Sequence, residues 1–159
     1  MKTLVLYGSK YGGAAQIAKR IAGGMGDAGV WDLKADGAPA LEGVGRVIIG
    51  GSLYAGRVRK EVKTFITAHQ EVLKGKEVGL FLSGMDGKST EGYFSSNFPA
   101  WLLAQAKAKA FLGGIFDPGK TGGFDRFVMG LVAKHKGYVD TIDDEGIGLF
   151  VKAMEGGRE

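Results

Sequence analysis

Short apolar runs alternate along the chain with amphipathic segments, and glycines separate most of them. The apolar runs have the length and the β-branched content that are typical of strands. They cover residues 4–7, 29–33, 46–52, 78–82 and 110–116. Because the run at 46–52 is continuously apolar between Arg46 and Ser52, we expect that strand to be buried on both faces of a sheet.

Between the predicted strands, apolar residues recur three or four positions apart, which predicts helices. These helices cover residues 14–25, 58–73, 97–109 and 124–132, and a last helix opens at Thr141. Asn97 is predicted to cap the third of them, with Pro99 in its first turn. The core face of the last helix is predicted to hold Ile147, Phe150, Val151 and Met154.

Strands that alternate with helices predict a parallel sheet with helices on both of its faces. Five strands in a chain of 159 residues fit one α/β domain, residues 1–159, with a doubly wound five-stranded parallel sheet. The strand order expected for a sheet of this size is 2-1-3-4-5, which places the first strand between the second and the third.

The composition excludes several kinds of site and partner. The chain has no cysteine, which excludes disulfides, thiol catalysis and iron–sulfur clusters. The four basic residues Arg57, Arg59, Lys60 and Lys63 are interpreted as a solvated helix face, so no nucleic-acid partner is predicted despite a net charge of +4.

We also expect no transmembrane segment, because no apolar run approaches about 20 residues. No leader pattern is evident, and a cytoplasmic location is the expectation. The two histidines, His69 and His135, are predicted to be structural, and no spacing of acidic and histidine residues predicts a metal site.

The loop after the first strand predicts a phosphate site. It reads Ser9-Lys-Tyr-Gly-Gly-Ala14 and lies between a strand and the start of a helix. That arrangement presents backbone N–H groups to an anion at the carboxyl edge of a parallel sheet. The glycines Gly8, Gly12 and Gly13 do not have the G-x-G-x-x-G spacing of a dinucleotide fingerprint.

A second loop, Gly114-Ile-Phe-Asp-Pro-Gly-Lys-Thr121, matches the P-loop pattern G-x-x-x-x-G-K-[ST]. Its context argues against a P-loop, because Ile115 and Phe116 still have the character of a strand and Gly122-Gly123 follow where a helix should start. A nucleoside-triphosphatase function is therefore a minor alternative.

Two further loops are expected to meet the phosphate loop. Gly50-Gly-Ser-Leu-Tyr-Ala-Gly56 follows the third strand, and Ser83-Gly-Met-Asp-Gly87 follows the fourth. In the order 2-1-3-4-5 the carboxyl ends of strands 1, 3 and 4 lie side by side, so their loops converge. Small residues with the nearby aromatics Tyr54 and Tyr93 predict a site for a flat aromatic cofactor that carries a phosphate.

These segments resemble the flavodoxin-like FMN domain family. The first loop is similar to the flavodoxin phosphate loop, S/T-x-T-G-x-T. The segment from Gly50 to Phe65, and the late segment Gly113–Phe116 with Phe124-Asp-Arg-Phe-Val-Met129, resemble the branch that includes menaquinone-dependent protoporphyrinogen oxidase. The resemblance implies a flavodoxin-like fold and FMN as the cofactor.

It also implies a set of cofactor-binding residues in three groups. The first group would hold the FMN phosphate, and the other two would line the flavin: Ser9, Lys10, Tyr11, Gly12, Gly13 and Ala14; Ser52, Leu53, Tyr54, Ala55 and Gly56; Ser83, Gly84 and Met85. Ala14 departs from the family, which usually has Thr there. Lys10 is the residue expected to replace the lost hydroxyl, because an ammonium is a good phosphate donor.

Three functions follow from this interpretation. The first is an FMN redox protein that passes electrons to a partner protein, with no catalytic side chain of its own. The second is a quinone-linked, FMN-dependent protoporphyrinogen oxidase; the thin basic stretch around Lys120 and Arg126 speaks against it. The third is a flavin-free interaction domain.

Overall fold

A parallel sheet forms the centre of the molecule. The computed structural model describes residues 1–116 and 139–156. Within them the strands are β1 (Thr3–Gly8), β2 (Ala28–Asp32), β3 (Arg46–Tyr54), β4 (Arg57–Val58), β5 (Glu77–Ser83), β6 (Ala108–Phe111), β7 (Ile115–Phe116) and β8 (Val139–Asp140). The helices are α1 (Gly13–Gly24), α2 (Lys60–Ala68), α3 (Gln70–Lys74), α4 (Thr90–Asn97), α5 (Ala100–Gln105) and α6 (Asp144–Gly156).

The order of the parallel strands is β2-β1-β3-β5-β6. This confirms the predicted order 2-1-3-4-5, since β5 and β6 are the fourth and fifth strands of the prediction. The short strand β4 turns back and pairs antiparallel with the end of β3. The central strand β3 is buried from Arg46 to Ser52, as expected for a strand covered on both faces.

Two hydrophobic clusters cover the two faces of the sheet. Leu4 and Leu6 of β1 face one cluster, and Val5 and Tyr7 of the same strand face the other, because side chains alternate along a strand. The first cluster takes residues from α2 and α5, and the second takes residues from α1 and α6. Ile147, Phe150, Val151 and Met154 are buried on α6, which confirms the predicted core face of the last helix.

The prediction of one helix from Asn97 to Lys109 is wrong. The chain forms two helices there, α4 and α5, and Asn97 is the last residue of α4. The residue before a proline is disfavoured in the helical conformation by its clash with the proline ring. Phe98 is accordingly extended, with φ −126° and ψ 144°, and Pro99 becomes the residue that precedes α5.

Other boundaries also differ from the predictions. The strand predicted at 110–116 is β6, which ends at Phe111, and then β7, which pairs antiparallel with β8. Val58 belongs to β4, and the helix predicted to 73 is interrupted at His69, whose ψ of 25° departs from the helix. The last helix opens at Asp144 rather than Thr141. The helix predicted at 124–132 and His135 lie outside the described residues.

Neither a membrane span nor a metal cluster is found in the described residues. No helix in residues 1–116 or 139–156 combines the length and the apolar character that crossing a bilayer requires. The same part of the chain holds no cluster of three acidic or histidine residues that could bind a metal ion.

Packing across β3 and β5 predicts the effect of one substitution. A Cβ at Gly50 would overlap the ring of Phe81, which is fully buried. We expect Gly50→Ala to lower the free energy of unfolding by about 1–3 kcal/mol, because a well-packed core cannot make room without strain. Denaturant unfolding measures this difference.

Gly23→Ala is the matched control, since nothing lies within 4 Å of a Cβ there. This substitution should raise the free energy of unfolding by a few tenths to about 1 kcal/mol. Equal stability of the wild type and Gly50→Ala would contradict the packing argument.

Candidate functional site

The carboxyl ends of β1, β3 and β5 lie side by side, and their loops form what we call the strand-end site. In the strand register Gly8 is opposite Gly51, and Ser52 is opposite Ser83. The Ser52 hydroxyl donates a hydrogen bond of 3.4 Å to Oγ of Ser9. The structure therefore brings together the three loops that the sequence singled out.

The first loop leads into α1 with its backbone donors available. Gly12 precedes the helix with φ 96°, and its N–H donates to Oγ of Ser9 at 3.0 Å. The first hydrogen bond of the helical pattern runs from Gln16 N–H to Gly12 O, at 3.0 Å. The N–H groups of Gly13, Ala14 and Ala15 come before it, so α1 itself offers them no acceptor. A helix start of this kind attracts an anion.

Gly13 joins the first loop to the rest of the site. A Cβ at Gly13 would lie 2.5 Å from Oγ of Ser83 and 3.1 Å from N of Ile115. The first loop therefore touches the end of β5 and also the segment after β6. Ala14 is fully buried beside Gly13 and packs into the cluster that α1 shares with α6. It presents no polar atom other than its backbone.

The loop after β3 is a tight hairpin, residues 54–57, which we call the 54–57 turn. Tyr54 pairs with Arg57, and Leu53 pairs with Val58. The two central residues, Ala55 and Gly56, have φ of 52° and 80°. A two-residue hairpin turn with positive φ at both central positions suits the right-handed twist of the strands. Glycine adopts this conformation readily, whereas alanine is strained in it.

The side chain of Asn97 holds the 54–57 turn from behind. Its Oδ1 accepts a hydrogen bond from Val58 N–H at 3.0 Å. Its Nδ2 donates to the carbonyl oxygens of Gly56 and Tyr93, both at 2.9 Å. Sequence reasoning placed Asn97 as a helix cap and missed this role. The available signal was an amide between the apolar residues Phe94 and Phe98, a position where a buried polar group needs partners.

Aromatic side chains line the junction between the first loop and the 54–57 turn. The Tyr11 ring meets those of Tyr54 and Phe116 edge to face, at centroid distances of 6.5 Å and 6.1 Å. Nζ of Lys10 lies 4.2 Å from the centroid of the Tyr54 ring. Met85 packs against the same group. Lys10 is therefore held over an aromatic face at the edge of the first loop, a favourable position for a cation.

The loop after β5 completes the site on the side of β6. Ser83 is buried, and Gly84 N–H donates to the carbonyl oxygen of Gly113 at 3.0 Å. A Cβ at Gly84 would lie 3.3 Å from the Phe111 ring and 3.5 Å from Cβ of Leu53. Sequence reasoning did not assign residues 113–116 to this site. The structure describes Gly114 to Phe116 of the segment that matches the P-loop pattern, and Ile115 and Phe116 form β7. Lys120 and Thr121 of that segment lie outside the described residues.

Tyr7 lies near the site, and the pKa of its phenol is raised. It is buried at the end of β1, and its hydroxyl lies 3.4 Å from Oδ2 of Asp32. Burial raises the pKa of the phenol above its ordinary value near 10, and the Asp32 and Asp36 carboxylates raise it further. Tyr7 therefore stays neutral throughout the physiological range.

Comparison with known proteins points to one family. The family model described as "Flavodoxin domain" matches residues 4–142. A search of curated protein sequences found no match. Among solved structures, oxidised flavodoxin 2 from Bacillus cereus has 18% identity, covers 99% of each chain and gives a TM-score of 0.62.

Two other solved structures have the same fold. The flavodoxin of Fusobacterium nucleatum bound to flavin mononucleotide has 15% identity, covers 100% of each chain and gives a TM-score of 0.58. The Flv1 flavodiiron core from Synechocystis sp. PCC6803 has 14% identity and a TM-score of 0.62 and covers 97% of this chain. The chain spans only 34% of that protein. The predicted flavodoxin-like fold is confirmed.

The raised pKa of Tyr7 predicts a dependence of stability on pH. The contribution of the neutral phenol is complete below about pH 10, the ordinary pKa of tyrosine, and is lost as the pH rises toward the folded-state value. We expect the free energy of unfolding to fall less steeply above pH 10 in Tyr7→Phe than in the wild type, as measured by denaturant unfolding. Asp32→Asn should give an intermediate slope. Identical slopes in the wild type and Tyr7→Phe would refute this prediction.

Proposed function

The chain belongs to the flavodoxin domain family, and from that premise we propose that it binds FMN and transfers electrons through the flavin. The observation that supports this most directly is the start of α1, where three backbone N–H groups come before the first helical hydrogen bond, next to the 54–57 turn and the loop after β5. FMN, when bound, supplies one- and two-electron transfer at its ring, and the protein supplies binding, orientation and electrostatics.

The residues of the first loop fit a phosphate through their backbone. The N–H groups of Gly13, Ala14 and Ala15 would donate to the phosphate oxygens, as at other helix starts that bind anions. Ser9 would keep the loop in shape, since its Oγ accepts the Gly12 N–H. Ala14 provides no hydroxyl, so Lys10 is the side chain that we propose as the additional donor.

The other two loops would hold the ring. The 54–57 turn, with Ser52 and Leu53 before it, would line one side, and Ser83, Gly84 and Met85 would line the other. Tyr54 is half-buried and already contacts Lys10 and Tyr11, so it is suited to cover a flat ring. The aromatic contacts would also exclude water from the ring that they cover.

The electron acceptor is proposed only as a class, a redox partner protein or a quinone. The protoporphyrinogen oxidase activity that the sequence resemblance implied has no support from the structural relatives, and the electron-transfer function is the one we put forward. An anaerobic assay with protoporphyrinogen and menaquinone tests the alternative. We also propose that residues 1–159 form one domain and that the protein is cytoplasmic.

Comparing FMN with riboflavin tests the proposed phosphate site. We expect the fluorescence of FMN to be quenched when it binds, which gives the readout. FMN should bind at least about tenfold more tightly than riboflavin, because only FMN carries the phosphate. Lys10→Met should weaken FMN binding about three- to tenfold and leave riboflavin binding unchanged, since a charge-assisted hydrogen bond is lost. Lys152→Met, on the exposed face of α6, is the control with the same loss of charge. A colourless protein that binds neither compound would favour the flavin-free interaction domain.

The positive charge near the 54–57 turn predicts a shift of the redox potential. Arg57 is exposed in β4, directly after the turn. Reduction adds negative charge to the flavin, so a nearby cation favours the reduced state. We expect Arg57→Glu to lower the reduction potential by on the order of 10 mV at low salt, less at high salt. Spectroelectrochemical titration measures this shift. Lys152→Glu makes the same change in net charge at a remote position and should leave the potential where it is; an equal shift in both variants would rule out a local effect.

A further inference from the structure

We propose that Asn97 is a positioning residue, which holds the 54–57 turn in the left-handed conformation that the flavin ring would contact. The effect on FMN binding rests on the proposed function. The contacts of Asn97 that support the inference lie within the protein and do not depend on FMN. Neither the family pattern in the sequence nor the predicted site residues included Asn97.

The hydrogen bonds of Asn97 match what only an asparagine provides there. The residue is 6% exposed. Its oxygen accepts from Val58 N–H, and its nitrogen donates to the carbonyl oxygens of Gly56 and Tyr93. An aspartate could accept but not donate, and a leucine could do neither. One side chain therefore binds the turn at the carbonyl of Gly56 and at the amide of Val58, on the strand that follows.

The helix end that carries Asn97 is anchored in the hydrophobic core. It ends α4, where Phe94 and Phe98 are buried and their rings stack at a centroid distance of 5.9 Å. A Cβ at Gly56 would lie 3.7 Å from Cε1 of Tyr93, on the same helix. The turn thus packs against a helix end that is itself held in the hydrophobic core, which favours a precise position for the Asn97 amide.

The turn needs this support because Ala55 is strained. Its φ of 52° is the only positive φ of a non-glycine residue among the described parts of the chain. Strained conformations of this kind persist only where surrounding contacts over-determine them. The hydrogen bond from Asn97 to Gly56 O fixes the carbonyl of the residue that follows the strained one. Without it, Ala55 would relax toward negative φ and move the edge that Tyr54 and Gly56 present to the flavin.

A double-mutant cycle tests whether the strain at Ala55 is what Asn97 holds. The variants are Asn97→Leu, Ala55→Gly and the double variant, with Ser95→Ala as the control on the exposed side of α4. We expect Asn97→Leu to weaken FMN binding about tenfold, the effect of losing a buried hydrogen bond. Ala55→Gly should restore at least half of the lost affinity on a logarithmic scale, because glycine adopts positive φ without strain. Ser95→Ala should bind as the wild type does.

A flavin-free measurement separates this inference from the proposed function. At positive φ the amide and Hα protons of a residue lie close together, so Ala55 should give a strong intraresidue NOE in the flavin-free wild type and in Ser95→Ala. We expect a weaker NOE in Asn97→Leu. If that variant does not fold, Asn97→Asp replaces it, since it keeps the acceptor for Val58 N–H and loses the donors.

The outcomes are distinct. If the NOE at Ala55 is unchanged in Asn97→Leu or Asn97→Asp, the proposed role of Asn97 is wrong, whether or not FMN binds. A wild type with the strong NOE that binds no FMN overturns the proposed function and with it the role of Asn97 toward the flavin. If Ala55→Gly changes FMN affinity equally in the wild-type protein and in the Asn97→Leu variant, the two positions act independently, which also overturns the proposal.

Discussion

The parallel register of β1, β3 and β5 is the constraint on which the strand-end site depends. These strands are buried on both faces, so a slip of one residue would move each side chain into the opposite hydrophobic cluster and disrupt the packing of both. The register places Gly8 opposite Gly51 and Ser52 opposite Ser83. The Ser9–Ser52 hydrogen bond and the closeness of Gly13 to Ser83 follow from that alignment.

Small residues let the loops approach one another once the strands are aligned. Gly13 and Gly84 lie where a Cβ would come within 3.3 Å of a neighbouring loop or ring. The backbone of the first loop therefore lies directly against the Ser83 hydroxyl at the end of β5 and against the backbone of Ile115 after β6. A site built in this way presents backbone donors, which suits an anion better than it suits acid–base catalysis by side chains.

The 54–57 turn shows that the site also depends on a remote part of the chain. Its strained residue, Ala55, is local, but the amide that binds the turn comes from Asn97, 41 positions after Gly56. The chain thus combines a preformed backbone site at the start of α1 with a hairpin that a distant side chain holds. Each part also carries a positive charge, since Lys10 of the first loop lies over the ring of Tyr54 and Arg57 follows the turn.

The amino-acid sequence alone determined the sheet order and the meeting of the three loops, because alternating apolar runs and amphipathic segments leave few other ways to bury both faces of the strands. The end of α4 was within reach of the sequence, because Pro99 disfavours a helical Phe98 by local sterics. The sequence could not determine that β7 leaves the sheet, since this depends on pairing with β8 far along the chain. The partners of Asn97 were equally hidden. An amide looks the same in sequence whether it caps a helix or binds a distant turn, and only tertiary packing, which buries it against Gly56, Val58 and Tyr93, decides between them.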